Sequence, residues 1–131
     1  MQNPSSVVVV LGTGGTIAGT ASDASDHIGY VAAQRGVGEL LQAVPALTGA
    51  GAGAAIESEQ VAQLDSKDMT HAVWRELAQR CAHHLARPEV AGIVVTHGTD
   101  TLEETAWFLQ RTLAPQRPIV LTAAMRPATA M

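Results

Sequence analysis

Short, continuous apolar runs are the feature of this sequence that most restricts its fold. Three runs show no alternation of apolar and polar residues: Val7 to Leu11, Gly92 to Thr96 and Pro118 to Thr122. Strands that are covered on both faces have this pattern, whereas half-exposed strands alternate. A fourth run, Ile56 to Val61, carries two glutamates and is therefore predicted to be an edge strand.

Helical patterns separate the four predicted strands. They span Val37 to Val44, closed by Pro45, then Val73 to Leu85, then Leu102 to Leu113. Thr101 and Glu104 have the spacing of a capping box at the start of the third helix. The alternation of strands and helices predicts an α/β fold with right-handed crossovers, a three-layer parallel sheet of the flavodoxin or Rossmann type.

The fourth strand is not followed by a predicted helix. A parallel strand that is exposed on one face is unusual, because parallel sheets are normally covered on both sides. We therefore expect residues 1–131 to form one domain that is incomplete at its C-terminal side.

Charge and cysteine content exclude several classes of function. The net charge is −4, and the single lysine and seven arginines are scattered, so no nucleic-acid surface is expected. Cys81 is the only cysteine, which rules out an intramolecular disulfide, and no residue spacing suggests a metal site or a cofactor. His71, His83 and His84 are predicted to lie at the surface or the end of their helix.

Nothing in the sequence predicts a membrane segment. The N-terminus has no positively charged region of the kind that begins a secretory leader, and Val7 to Leu11 is far too short to span a bilayer. We expect a cytoplasmic protein, or a periplasmic one if a leader has been removed.

The glycine-rich segment after the first strand, Gly12 to Gly19, suggests a phosphate-binding loop, but its details disagree. The dinucleotide fingerprint requires a small residue where Ile17 stands, and the P-loop requires lysine where Thr20 stands. Nucleotide binding is therefore disfavoured.

A second polar loop, THGTDT (Thr96 to Thr101), follows the third strand. Asp100 or Thr101 could simply cap the next helix. That explanation leaves a second hydroxyl, a glycine and a carboxylate unaccounted for. Ligands of open α/β sheets bind at the carboxyl ends of strands, so the two loops should converge there. Such a set suits attack on an uncharged carbonyl in a substrate that carries an ammonium group.

The two loops resemble the active-site signatures of the bacterial-type L-asparaginase and glutaminase-asparaginase family. The matching stretches are TGGTIAG (Thr13 to Gly19) and GIVVTHGTDT (Gly92 to Thr101). Three further segments are similar to the same family: Gly36 to Pro45, Asp65 to Met69 and Ala123 to Pro127. The resemblance covers nearly the whole chain.

The resemblance implies hydrolysis of L-asparagine to L-aspartate and ammonia through an acyl-enzyme, with L-glutamine as a possible second substrate. It makes Thr16 the nucleophile and Tyr30 the group that assists removal of its proton. Thr99 becomes the second catalytic threonine. Asp100 becomes the partner of the substrate's α-ammonium group.

The resemblance also assigns substrate contacts. Ser66 and Lys67 would hold the α-carboxylate, although many family members carry glutamine where Lys67 stands. Ala124 would lie near the substrate amide through its backbone, and residues 20–29 would form a lid. His97 is expected to organise its loop rather than to act as a base.

The family's catalytic lysine and its C-terminal domain, which builds a homotetramer, have no counterpart within residues 1–131. The chain alone is therefore expected to be inactive. One alternative is that it is an inactive truncated product. Another is the asparaginase-like subunit of an amidotransferase that acts on charged tRNA, which is disfavoured because that subunit usually carries an extra N-terminal domain.

Overall fold

The computed structural model describes residues 6–20, 32, 34–48 and 53–129. The elements are β1 (Val7–Gly14), α1 (Val37–Gln42), α2 (Pro45–Thr48), β2 (Ala55–Leu64), α3 (His71–Leu85), β3 (Val90–Thr96), α4 (Leu102–Leu113) and β4 (Ile119–Thr122). Single 3-10 turns follow β1 (Thr16–Ala18) and β2 (Ser66–Asp68). The strands pair in parallel in the order β2-β1-β3-β4, which confirms the predicted parallel α/β sheet and the edge position of β2.

The sheet is covered by helices on both faces because alternate side chains of β1 point to opposite sides. Val7, Val9 and Leu11 pack into the main core with α3 and α4. Val8 and Val10 face α1 on the other side. The layer order is thus helix, sheet, helix, as predicted. On the α1 side, the outer part of β4 is open, and Val120 is 53% exposed.

Cys81 behaves as an apolar core residue. Its side chain is fully buried in the cluster between α3 and the sheet. Burial raises the pKa of the thiol to about 12, because the thiolate would be poorly solvated there.

The glutamates of β2 are explained by ion pairs with α3. Glu59 and Glu57 lie beside Leu11 and Val9 in the sheet register, at the margin of the core. Arg80 makes a two-point contact with Glu59, and Arg87 does the same with Glu57, at 2.8 and 2.9 Å. These hydrogen bonds lower the pKa values of both carboxyl groups. An edge strand can therefore carry acidic residues on its inward face.

Several predicted boundaries were wrong: α1 ends at Gln42, β2 runs to Leu64 and β3 begins at Val90. β1 continues to Gly14, through residues that the sequence assigned to a loop, because Gly12 still pairs with both neighbouring strands. A Cβ at Gly12 would lie 2.6 Å from Val37 Cβ, so the glycine lets α1 approach the sheet closely. Pro45 does not only close α1; it begins the short helix α2, a position at which proline is favoured. Within the described ranges, no helix is long and apolar enough to cross a membrane.

His84 lies in the last turn of α3, one of the two positions expected for it, but it is not at the surface. The residue is 6% exposed, because α3 turns this position toward β2. Arg87 Nη1 donates to His84 Nδ1 at 3.1 Å, so the proton of the neutral ring must sit on Nε2. Nε2 is 3.6 Å from a Glu59 oxygen, which is too long for a good hydrogen bond. Burial is the main cause that lowers the pKa of His84.

We expect the stability of the protein to fall as the pH drops below about 6.5, the ordinary histidine pKa. The pKa values of both His84 and His97 are lowered in the folded state. The unfolded chain therefore binds more protons than the folded protein over this range. The contribution of the two histidines to the free energy of unfolding, which is present above that pH, is lost on acidification. His84→Gln should make the melting temperature less dependent on pH between 7.5 and 5.5. Identical pH profiles for the variant and the wild type would contradict this.

Candidate active site

Three loops leave the carboxyl ends of neighbouring parallel strands and meet at one edge of the sheet. Loop A (residues 15–20) follows β1, loop B (residues 65–70) follows β2, and loop C (residues 97–101) follows β3. This edge is where open α/β sheets bind ligands. A backbone contact between Gly15 and Gly98 confirms the predicted convergence of loops A and C.

Backbone atoms of loops A and C touch at Gly15 and Gly98. A Cβ at Gly15 would lie 2.5 Å from Gly98 N and 2.6 Å from Gly98 Cα. Gly15 also has φ 80°, a value that favours glycine, and its N–H donates to the carbonyl of Leu64 at 2.9 Å. Because consecutive Cα atoms are about 3.8 Å apart, the Cα atoms of Thr16 and Thr99 lie within about 12 Å of each other.

Thr13 stabilises the point at which loops A and C begin. Its hydroxyl donates to the carbonyl oxygen of Thr96 at 2.7 Å, and both side chains are buried. The bond ties the end of β1 to the end of β3, so the two loops leave the sheet with a fixed separation. Nothing in the sequence around Thr13 indicates this role, since a hydroxyl within a loop signature does not reveal a hydrogen bond to a residue 83 positions away.

Ser66 connects loop B to loop C and is 1% exposed. Its Oγ accepts the N–H of Asp100 at 3.0 Å, and its carbonyl accepts the hydroxyl of Thr101 at 2.9 Å. A Cβ at Gly98 would overlap Ser66 Oγ, so this glycine is needed for the approach of the two loops. The hydroxyl of Ser66 retains its own proton for donation to a further acceptor.

The predicted capping box at α4 is wrong. Thr101 occupies the N-cap position, but its side chain makes no cap hydrogen bond, because the hydroxyl is turned toward loop B and donates to the carbonyl of Ser66. A local pattern was therefore overridden by a contact between two loops. The sequence left open that Thr101 caps α4, and the side chain of Thr101 does not do so.

His97 is fully buried and lies behind loop C. Burial is the main cause that lowers its pKa, and the Gly98 carbonyl and Glu104 oppose this shift. Both ring nitrogens have protein partners, Gly98 O at 2.7 Å and Thr105 Oγ1 at 2.8 Å. These contacts agree with the expected role in organising the loop.

The predicted site residues differ in exposure. Thr99, Asp100 and Lys67 are exposed, and Thr16 is half-buried in the 3-10 turn of loop A. Ala124 is half-buried in the segment after β4. That segment reaches loop A, since the N–H of Ala128 donates to the carbonyl of Gly19 at 2.9 Å.

Two predicted elements lie outside the described residues. They are Tyr30 and the predicted lid apart from Thr20. In the part of the chain that is described, no group of three or more His, Cys, Asp or Glu side chains is arranged to hold a metal ion.

Comparison with known proteins identifies the family. A family model described as "Asparaginase, N-terminal" matches residues 7–131. "Glutaminase-asparaginase" from Pseudomonas aeruginosa is 45% identical over 130 residues, which is 99% of this chain and 35% of that protein. "Probable L-asparaginase periplasmic" from Haemophilus influenzae is 43% identical over 122 residues, which is 93% of this chain and 33% of that protein.

A solved structure agrees with these relatives. The crystal structure of a "Probable Cytoplasmic L-asparaginase" from Campylobacter jejuni aligns with a TM-score of 0.89 and 43% identity. The alignment covers 96% of this chain and 37% of that structure. The chain spans about a third of the length of the curated relatives it matches. With nearly all of its residues matched to the N-terminal domain, the chain belongs to the asparaginase family.

Proposed function

We propose that the complete protein carrying these residues is an L-asparaginase that uses a threonine nucleophile. The observation that carries the proposal is the backbone contact between Gly15 and Gly98, which keeps the loop bearing Thr16 next to the loop bearing Thr99 and Asp100. The site then offers a hydroxyl nucleophile, a second hydroxyl and a carboxylate within one small region. An amide substrate with an α-ammonium group suits this set.

In the proposed reaction, Thr16 Oγ1 attacks the side-chain carbonyl of asparagine. The tetrahedral intermediate collapses with loss of ammonia, which takes up the proton that leaves the threonine, and an ester to Thr16 remains. Water then attacks the ester and releases L-aspartate, which restores the hydroxyl. A threonine hydroxyl is a weak nucleophile and needs a neighbouring group that accepts its proton.

Tyr30 and Thr99 are the proposed participants in that proton transfer. The resemblance to the family supports the role of Tyr30, which directly follows residues 20–29, the segment proposed as a lid. For Thr99 there is a second support, because it follows Gly98, the residue that contacts loop A. A lid that closes over the substrate would exclude water other than the one that reacts.

The proposed substrate contacts use loops B and C and the segment after β4. Asp100 pairs with the α-ammonium group, while Ser66 and Lys67 hold the α-carboxylate. The hydroxyl of Ser66 can donate to a carboxylate oxygen while it accepts the N–H of Asp100. Ser66 would then connect the groups that bind the two charged ends of the substrate. The backbone of Ala124 is proposed to face the substrate amide.

The proposal concerns the complete protein rather than these 131 residues by themselves. The chain covers about a third of its relatives' length, and the resemblance assigns a catalytic lysine and a tetramer-forming domain to the remainder. We propose a homotetramer. For the compartment we propose the cytoplasm, as in the name of the Campylobacter jejuni protein, while the name of the Haemophilus influenzae relative indicates the periplasm.

Glutamine is a second proposed substrate. The name of the Pseudomonas aeruginosa relative includes glutaminase. Ammonia release from asparagine and from glutamine by the complete protein tests both activities and yields their ratio of kcat/KM. Activity on neither amide would refute the proposal.

Asp100→Asn is expected to weaken substrate binding more than it slows the chemical step. The change keeps the shape of the side chain but removes the charge that pairs with the ammonium group. Hydrogen bonds to charged groups contribute roughly 1.5–3 kcal/mol, so KM for asparagine should rise at least about tenfold. Glu103→Gln removes an exposed carboxylate at the start of α4 and is the control. An unchanged KM in Asp100→Asn would contradict the ammonium contact.

A further inference from the structure

A buried chain of hydrogen bonds runs from α3 to loop C. Trp74 Nε1 donates to Thr105 Oγ1 at 2.9 Å, and the same oxygen lies 2.8 Å from His97 Nε2. The other ring nitrogen of His97, Nδ1, lies 2.7 Å from the carbonyl oxygen of Gly98. Thr105 and His97 are both 0% exposed and Trp74 is half-buried, so bulk water does not reach the side chains of Thr105 and His97. The chain thus links α3, α4 and loop C.

The direction of every bond in this chain follows from its two ends. The indole N–H of Trp74 can only donate, and the carbonyl of Gly98 can only accept. His97 must therefore carry its proton on Nδ1, and a neutral ring then accepts at Nε2. The hydroxyl of Thr105 accepts from Trp74 and donates to His97. Each group has one role that satisfies all of its neighbours.

We propose that Thr105 and Trp74 are positioning residues, which hold His97 as its Nδ1–H tautomer so that His97 orients the Gly98–Thr99 peptide. The expected effect on kcat rests on the proposed function. Gly98 O and Thr99 N belong to one planar peptide unit. A hydrogen bond to Gly98 O therefore fixes the orientation of the backbone that carries the side chain of Thr99. The backbone N–H of His97 is held separately by Thr122 O at 2.9 Å, which leaves the ring to set the next peptide.

The orientation of this peptide matters because Gly98 also forms the contact with loop A. A rotation of the Gly98 peptide would move the hydroxyl of Thr99 and disturb the packing of Gly98 against Gly15. Misplacement of a catalytic group by about 1 Å can lower a rate by about 100-fold. Residues of α3 and α4 that do not touch the substrate would therefore influence catalysis.

The position of the ring proton can be tested without any assay of activity. Neutron diffraction of crystals of the complete protein, exchanged into deuterated solvent, should show deuterium on His97 Nδ1 and none on Nε2. It should also show the deuterium of the Thr105 hydroxyl directed toward His97. Deuterium on Nε2 would overturn the proposal. This result is independent of whether asparagine is the substrate.

Two substitutions of Thr105 separate the hydroxyl from the side-chain shape. Thr105→Val keeps the shape and removes the donor to His97, and we expect kcat to fall between about 10-fold and 100-fold. Thr105→Ser keeps the hydroxyl and should stay within about threefold of the wild type. Thr112→Val removes an exposed hydroxyl from the same helix and should leave kcat unchanged. Wild-type kcat in Thr105→Val, or equal losses in the Val and Ser variants, would overturn the proposal.

Trp74→Phe provides a second variant if Thr105→Val fails to fold. It removes the indole N–H, while a phenyl ring can still stack on Phe108, whose ring centroid lies 5.0 Å from that of Trp74. We expect a loss of kcat larger than that of Thr105→Ser, with a melting temperature close to the wild type. A kcat equal to the wild type in Trp74→Phe would count against the role of Trp74. If the wild-type protein hydrolyses neither amide, the proposed function fails, while the neutron result still decides the tautomer.

Discussion

Thr16→Ala in the complete protein is expected to lower kcat for asparagine hydrolysis by at least about 10⁴-fold. The substitution removes the only atom that can form the proposed acyl-enzyme, and removal of a hydroxyl nucleophile has effects of this size in other hydrolases. Thr16 lies in the 3-10 turn that follows Gly15, so an alanine there fits the same backbone. Ammonia release at saturating asparagine measures the effect.

Substrate binding distinguishes loss of the nucleophile from loss of the fold. The proposed contacts with the ammonium and carboxylate groups belong to loops B and C, so Thr16→Ala should still bind asparagine in a calorimetric titration. Thr112→Ala serves as the control, since it removes an exposed hydroxyl far from the three loops. Ammonia release at the wild-type rate by Thr16→Ala would refute the nucleophile.

Gly15→Ala is expected to separate loops A and C and to lower activity by at least about 100-fold. The new Cβ would lie 2.5–2.6 Å from three backbone atoms of His97 and Gly98, which cannot move aside as a flexible side chain could. The backbone at Gly15 also has φ 80° and ψ −175°, a region that is essentially restricted to glycine and that costs an alanine about 1–3 kcal/mol. Thermal unfolding and ammonia release of the complete protein measure the two consequences.

Two other glycines provide matched controls for Gly15→Ala. Gly53 has φ 70° but no atom within 4 Å of an added Cβ, so Gly53→Ala tests the effect of a positive φ without the clash. Gly38 lies in α1 with open space around it, and Gly38→Ala should stabilise the helix by about 0.5–1 kcal/mol. Activity should be kept in both. If Gly15→Ala lost no more activity than Gly53→Ala, the contact between the loops would not be essential.

Local sequence patterns were enough to predict the helices and strands, because each of these elements buries a stripe or run of apolar side chains. All four strands and the three predicted helices are present, because the hydrophobic effect acts on continuous runs such as Gly92 to Thr96 whatever lies around them. Boundaries were less accurate. β1 extends to Gly14 because pairing with two neighbours continues through residues whose composition is typical of a loop.

Burial of individual polar residues could not be predicted in the same way. His84 and His83 are adjacent on α3, yet only His84 is buried, because the packing of α3 against β2 decides which side of the helix is covered. Thr101 has the residue type and spacing of a cap, but Ser66, 35 residues away in sequence, accepts its hydroxyl instead. Such contacts depend on the distance between loops, which local periodicity does not contain.

The class of fold, the family signatures and the two polar loops that contain Thr16, Thr99 and Asp100 could be read from the amino-acid sequence. These features are local, since each depends on the order of residues within one short segment. Three contacts are visible only in the folded protein: Gly15 touches Gly98, Ser66 accepts the N–H of Asp100, and a chain of hydrogen bonds from Trp74 reaches loop C. Each of these contacts joins segments brought together by parallel strand pairing, which sets their separation and orientation.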